Sequence, residues 1–369
     1  MTAPGSTAKP VGRAFGAAPD VIDAAKVRFQ RLATSRKRQI LAELLQCRGD
    51  ELMRAYPALI AIGHGRRRKR PSRRHKTGSI VANEWCILFM VRKKWKRADE
   101  DPTQRLPAYL LHYETLRGRR TLVAVPTDVD VRPLVEAQAK SLFITVNAES
   151  PQAAGVLACL VRCRSTAGNV VWRALSCRHV LSLTNMVSDE VRGAEVFAPD
   201  HAALGTASSI RGPFEGVGFD AQAMDVANLE ATKRALWTWQ WPGGSVTEPE
   251  ELGQTTWLRC ARRAKPLQMT YRAVWAYHEV EYGPRHARFA AWIGPLVEVE
   301  GEDGESTIDG DSGSPLVIGS STPKFAGMHI AADTKAVNGR YRSYYIPAYA
   351  LLDPSNYEEG NLETWSLPG

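Results

Sequence analysis

Thr307-Ile308-Asp309-Gly310-Asp311-Ser312-Gly313-Ser314-Pro315 is the stretch that decides how this chain is read. A serine hydroxyl is a poor nucleophile until a base takes its proton and nearby donors stabilise the oxyanion that forms. Gly-Asp-Ser-Gly answers the second need locally. Gly310 lets the backbone turn so that its own N–H and that of Ser312 can face one concavity, and Gly313 leaves room beside the hydroxyl. Leu316-Val317-Ile318 then continues as an apolar strand that anchors the turn.

Upstream, Ala174-Leu175-Ser176-Cys177-Arg178-His179-Val180-Leu181 reads as a strand end, a short polar turn and a histidine followed by apolar residues. A histidine there is buried on one side and open to a cleft on the other, which suits a base for Ser312. Two residues are candidates for the acid that would orient it. Asp220 follows Gly216-Val217-Gly218-Phe219, and Asp225 stands in Met224-Asp225-Val226-Ala227. An odd number of positions separates them, so in a regular strand they point to opposite faces. The Gly-rich approach favours Asp220, and Asp225 remains the alternative.

His179, then an aspartate, then Gly310-Asp311-Ser312-Gly313 in this order resembles the trypsin/chymotrypsin-like serine peptidases, over roughly Gly155 to Leu352. The resemblance implies a mainly β, two-barrel chymotrypsin-like fold, with a Ser-His-Asp triad in the cleft between the barrels and no cofactor. Leu175-Ser176-Cys177-Arg178-His179-Val180-Leu181 is similar, more narrowly, to bacterial relatives of the plant narrow-leaf protease. Segments like Ala58–Gly65, Cys86–Lys93 and Val123–Val129 also occur in those proteins. There are departures. The long upstream sequence makes activation by a new N-terminus unexpected, so Asp311 is expected to pair internally. The Arg262–Pro266 region lacks the Gly-Arg-Thr-Thr-Gly-like turn of those relatives.

Thr307, five positions before the nucleophile, and His329 in Ala326-Gly327-Met328-His329-Ile330 resemble the pocket of peptidases that cleave after Glu or Gln. A hydroxyl and an imidazole together can hydrogen-bond a carboxylate or a carboxamide. Ser306, where trypsins carry an acid, offers no anchor for Lys or Arg.

Outside this region the chain divides in three. Residues 1–55 read as a flexible arm followed by helices, with Val21, Ala24, Ala25, Leu32, Ile40, Leu41, Leu44, Leu45 and Leu52 at three- and four-residue steps. Asp20 is a candidate cap, and Tyr56-Pro57 a stop. Residues 56–135 read as a small α/β appendage with strand-like runs Ala58–Gly65, Trp85–Val91 and Thr121–Val131. Residues 150–355 read as the peptidase domain, with halves at about 150–240 and 245–355 parted near Trp241-Pro242-Gly243-Gly244. In Arg66–Lys76, eight of eleven residues are Arg or Lys. This reads first as a solvated hairpin tip, because it lacks aromatics for base stacking; the alternative is a patch for nucleic acid or a partner protein.

The net charge of +9 over 369 residues is concentrated before Arg120. No apolar run has the roughly 18–20 residues of a membrane span, and the small, polar N-terminus does not read as a secretory signal. A cytoplasmic location is therefore expected. The six cysteines, Cys47, Cys86, Cys159, Cys163, Cys177 and Cys260, form no Cys-x-x-Cys pair and no zinc spacing. They are read as small buried hydrophobes. Trp237-Thr238-Trp239-Gln240-Trp241 reads as packing, His278, Glu279 and Glu281 have no metal-ligand spacing, and His64 and His75 are expected to be exposed. The alternative to a peptidase is a protease-fold binding module or a latent effector.

Overall fold

The computed structural model describes residues 19–68, 80–92, 105–116, 118–131, 135–137, 144–146, 154–165, 168–182, 194–198, 200–214, 216–236, 244–245, 255–258, 266–283, 288–301, 307, 311–319, 323–334, 336, 341–359 and 363–368. The chain splits into two units, Met1–Arg132 and Pro133–Gly369.

In the first unit, helix α1 spans Pro19–Gln30 and α2 spans Thr34–Ala55. The apolar spacing of Ile40, Leu41, Leu44, Leu45 and Leu52 puts these residues on one face of α2, and all are buried. Asp20 sits inside the first turn of α1, where its charge complements the helix dipole. The Tyr56 N–H closes α2 on the Leu52 carbonyl. Strands β1 (Leu59–Arg68), β2 (Ile80–Val91), β3 (Tyr109–Leu116) and β4 (Arg119–Val131) follow. They lie in the order β1-β2-β4-β3, with β2 and β4 parallel and the outer pairs antiparallel. Helix α1 packs on β4, and α2 on β1 and β2. Two expectations change here. His64 is buried within β1 rather than exposed, and Cys47 lies exposed on α2 rather than in the core. Most of the basic stretch lies outside the described residues, as do His75 and Cys260.

The second unit is mainly β, built from a closed six-stranded barrel and an eight-stranded antiparallel sheet. After β5 (Val135–Ala137), its first half contains β6 (Ile144–Val146), β7 (Ala154–Gly155), β8 (Cys159–Ser165) and β9 (Val170–Ser176). The one-turn helix α3 (Arg178–Leu181) comes next, then β10 (Glu195–Phe197), β11 (Ala203–Arg211), β12 (Val217–Gly218), β13 (Gln222–Val226) and helix α4 (Leu229–Leu236). The second half contains β14 (Thr255–Leu258), β15 (Leu267–Tyr282), β16 (Phe289–Ile293) and β17 (Leu296–Gly301). It continues with β18 (Pro315–Ile318), β19 (Lys324–Asp333), β20 (Arg342–Pro347), helix α5 (Ala348–Leu351) and β21 (Glu363–Ser366).

Antiparallel pairing runs β14-β18-β19-β20-β17-β15 and returns from β15 to β14, which closes a six-stranded barrel. Closure removes unpaired edges and leaves the interior to side chains. Leu296, Val299, Leu316, Phe325, Met328 and Ile346 are among the buried side chains of its strands. Seven first-half strands and the C-terminal β21 form an eight-stranded antiparallel sheet in the order β21-β8-β9-β13-β11-β10-β6-β7. The Trp-rich run and the first three residues of the Trp241–Gly244 boundary fall outside the described residues.

Beyond its six barrel strands, the second half carries an extension. The first part of β15, to Trp275, pairs with β17 in the barrel; from His278 to Tyr282 it pairs with β16 instead. The resulting hairpin reaches the first half, where β12 pairs in parallel with β16 at Trp292 and Ile293.

Candidate active site

His179 is placed by a short, tightly packed turn. Strand β9 ends at Ser176, and Cys177 is extended before the single turn of α3. Val180 and Leu181 are fully buried and anchor that turn, so the imidazole has little freedom to leave it. Asp220 lies in the break between β12 and β13 and is fully buried. Strand β13 begins only at Gln222, so the candidate acid stands ahead of it rather than within a regular strand.

The two candidate acids go to different places. His179 Nδ1 lies 2.6 Å from Asp220 Oδ2, and the backbone N–H of His179 donates to Asp220 Oδ1 at 3.1 Å. Asp225 lies on β13, half exposed, and accepts from Arg173 Nε on neighbouring β9 at 2.7 Å. An ionised carboxylate at Asp220 makes Nδ1 the protonated nitrogen and leaves Nε2 as an acceptor. Nε2 stands 2.9 Å from Ser312 Oγ. The hydroxyl has a second acceptor, the Ile330 carbonyl on β19, at 3.2 Å.

The loop bearing Ser312 is braced from both sides. The Gly313 N–H donates to the His329 carbonyl at 2.8 Å, and the His329 N–H to the Ser314 carbonyl at 2.9 Å. From the first half, the Val156 N–H donates to the Ser312 carbonyl at 2.8 Å. The Ser176 hydroxyl donates in turn to the Val156 carbonyl at 2.7 Å. Gly313 has φ +90, a conformation open to glycine and costly for other residues. Asp311 is buried, and its carbonyl accepts from the Ser314 N–H. Gly310, Ser306 and Arg262 fall outside the described residues.

The pocket candidates are both buried and converge on β20. Thr307 Oγ1 is 3.0 Å from Ser343 Oγ, and the His329 ring packs on the Tyr345 ring at 5.1 Å between centroids. Ser343 and Tyr345 are two positions apart in one strand and so share a face. Burial first, then the nearby imidazole of His179, pushes His329 down to about 3, so its ring is neutral under ordinary conditions.

Sequence reasoning missed two neighbours. Tyr282, at the end of β15, donates its hydroxyl to Asp220 Oδ2 at 3.0 Å. Burial and then the Asp220 charge hold its phenol protonated well above the usual tyrosine range, so it acts as a donor. Cys177, whose sulfur lies within 4.8 Å of ring and carboxylate atoms of His179 and Asp220, donates its thiol to the His329 carbonyl at 3.2 Å. Burial, then Asp220, raises this thiol well above its ordinary range, which makes it inert as a nucleophile. An aromatic at a strand end and a cysteine in an apolar turn carry no motif by which they could have been found.

In the first unit, donor atoms of Glu43, His112 and Glu114 lie within 4.8 Å of one another. Glu114 Oε1 is taken there by Arg36 Nη2 and by the Thr115 N–H. A cation would have to displace that ion pair.

No protein-family model and no curated protein matches the chain. Among solved structures it is similar to an inactive mutant form of Rv3671c from M. tuberculosis H37Rv, at 14% identity and a TM-score of 0.26, over 51% of this chain and 81% of that one. It is also similar to the NS6 protease from murine norovirus 1, at 15% identity and a TM-score of 0.23, over 48% of this chain and 85% of that one. These likenesses are too distant to bear on its chemistry.

Proposed function

We propose that this protein is a serine endopeptidase in which Ser312 is the nucleophile, His179 the general base and Asp220 the group that orients it. The observation that carries the reading is the unbroken chain from Asp220 Oδ2 through Nδ1 and Nε2 of His179 to Ser312 Oγ, with contacts of 2.6 and 2.9 Å. In the first step His179 takes the hydroxyl proton as Ser312 attacks a peptide carbonyl. Asp220 steadies the imidazolium that forms. The N–H groups of Gly310 and Ser312 are assigned to the oxyanion. His179 then gives its proton to the leaving amine, and water releases the acyl group.

Thr307 and His329 are assigned to the primary pocket, which takes Gln or Glu. A neutral, buried imidazole hydrogen-bonds an amide without desolvating a charge, so Gln is favoured. Within the class, the segment from Leu175 to Leu181 supports kinship with bacterial relatives of the narrow-leaf protease. A reducing, cytoplasmic setting would keep the buried thiols of Cys86, Cys159 and Cys177 reduced.

A fluorophosphonate probe tests the reading directly. Wild type is labelled and Ser312→Ala is not; equal labelling of the two, or none of either, overturns it. Fluorogenic peptides with Gln or Glu before the bond are cut, and His329→Ala sharply reduces that cleavage. Equal cleavage after Arg would sink the pocket assignment.

A further inference from the structure

We propose that Tyr282 is a positioning residue for the acid–base pair, through which the β15–β16 hairpin holds Asp220 and His179 in register. This rests on the peptidase reading above. Asp220 is fully buried, and a carboxylate in that setting needs donors to remain charged. Of the three donors described, two belong to His179 itself. Tyr282 supplies the third from a different element, and to the same oxygen that His179 Nδ1 reaches.

The tyrosine ring is itself fixed. It stacks on Phe289 of β16 at 5.5 Å and meets Phe214 edge-on at 5.7 Å. Its other neighbour is the imidazole of His179, 5.5 Å away between centroids. The same hairpin grips the backbone just before Asp220. Val217 and Gly218 pair with Trp292 and Ile293, and the Gly294 N–H donates to the Gly218 carbonyl at 3.1 Å. One hairpin thus restrains the acid by its side chain and by the chain two residues away.

Removing the phenol hydroxyl leaves the ring packing intact but takes one donor from Asp220. The less-satisfied carboxylate then attracts a charged imidazole more strongly, so more alkaline conditions are needed to free Nε2. It is also less firmly held, which slows the proton transfer. The described groups that face or flank His179 are Cys177, Arg178, Asp220, Tyr282, Ser312 and His329. The Cys177 thiol is raised and the His329 ring lowered to about 3, so between about pH 5 and 9 neither changes charge.

The test measures fluorophosphonate labelling rate against pH for the full chain, wild type and Tyr282→Phe, with Ser312→Ala as the blank. In Tyr282→Phe the plateau falls about tenfold, and the acid limb moves up by about half a pH unit, with the melting temperature close to wild type. An unchanged profile overturns the proposal. So does a lowered plateau with the acid limb unmoved, since loosened packing alone would do that. A second readout does not depend on catalysis. The low-field proton resonance of the His179–Asp220 hydrogen bond, identified by its loss in His179→Ala, shifts in Tyr282→Phe; a resonance unmoved by the substitution counts against Tyr282. If wild type labels no faster than Ser312→Ala, the peptidase reading fails, and the resonance still decides the place of Tyr282.

Discussion

Gly313 turns its α-carbon toward the carbonyl oxygen of Val156, so closely that a β-carbon there would overlap it. The contact joins the Ser312 loop to the first-half segment whose Val156 N–H holds the Ser312 carbonyl. Gly313→Ala therefore meets both a backbone clash and a left-handed conformation, at φ +90. The expected cost is about 3 kcal/mol or more, read as a lower denaturant midpoint, together with loss of probe labelling. Gly118→Ala is the control, because φ there is +75 with nothing within 4 Å. It should cost about 1 kcal/mol and leave labelling unchanged.

The two aspartates give a second comparison. Asp220→Asn reverses the hydrogen-bonding sense at Nδ1 and favours the wrong tautomer. The labelling rate should drop by about 10⁴-fold, the size seen for this change in the serine-protease template. Asp225→Asn removes only a half-exposed pair with Arg173. It should change stability by under about 1 kcal/mol and the rate by less than about threefold. Equal losses in both variants would place the acid elsewhere.

Stability should depend on pH through His329. Its folded value is lowered to about 3 from 6.5, so between those values the unfolded chain binds a proton that the folded chain refuses. The contribution is fully present above the unfolded value and is lost as pH falls toward the folded one. Melting temperature should therefore fall more steeply on acidification in wild type than in His329→Gln. Parallel curves for the two proteins would contradict this.

Among the barrel strands, Glu298 receives Arg342 Nη1 at 2.6 Å and Trp275 Nε1 at 2.8 Å, with both ion-pair partners buried. Glu300, one alternate position on, lies 3.5 Å from Arg272 and 3.6 Å from Arg342. Replacing Glu298 by Leu takes the acceptor from the Trp275 indole and leaves Glu300 as the carboxylate shared by two buried guanidinium groups. Chemical unfolding should report a loss of about 3–5 kcal/mol, far above that for a surface pair. A loss near zero would mean that the network contributes little to the fold.

These residues also explain what could be read from the sequence. The meeting of Ser312 and His179 was legible because each stands among local companions, glycines in one case and an apolar anchor in the other. The choice between Asp220 and Asp225 was not, because alternation assumes a regular strand and β13 begins only at Gln222. Strand β17 went unread for a related reason. In Leu296-Val297-Glu298-Val299-Glu300 the alternating glutamates suggest a wet face, yet their partners on β15 and β20 are distant in sequence. His112 and Glu114 obscured β3 in the same way, since Glu114 is buried against Arg36. Long-range pairing of charges leaves no local trace.

The β21–β8 pairing has a consequence for synthesis. Strand β8 is made early but meets β21, at Glu363–Ser366, only after some two hundred further residues have followed. At ribosomal speed that wait is on the order of ten seconds. Throughout it, the outer edge of β8 offers its backbone N–H and C=O groups to any extended chain nearby. His179 and Ser312, 133 positions apart, are separated by the same delay on a smaller scale. A ribosome stalled before residue 363 would therefore present an open β edge, and such chains should be the ones that aggregate or recruit a holding chaperone.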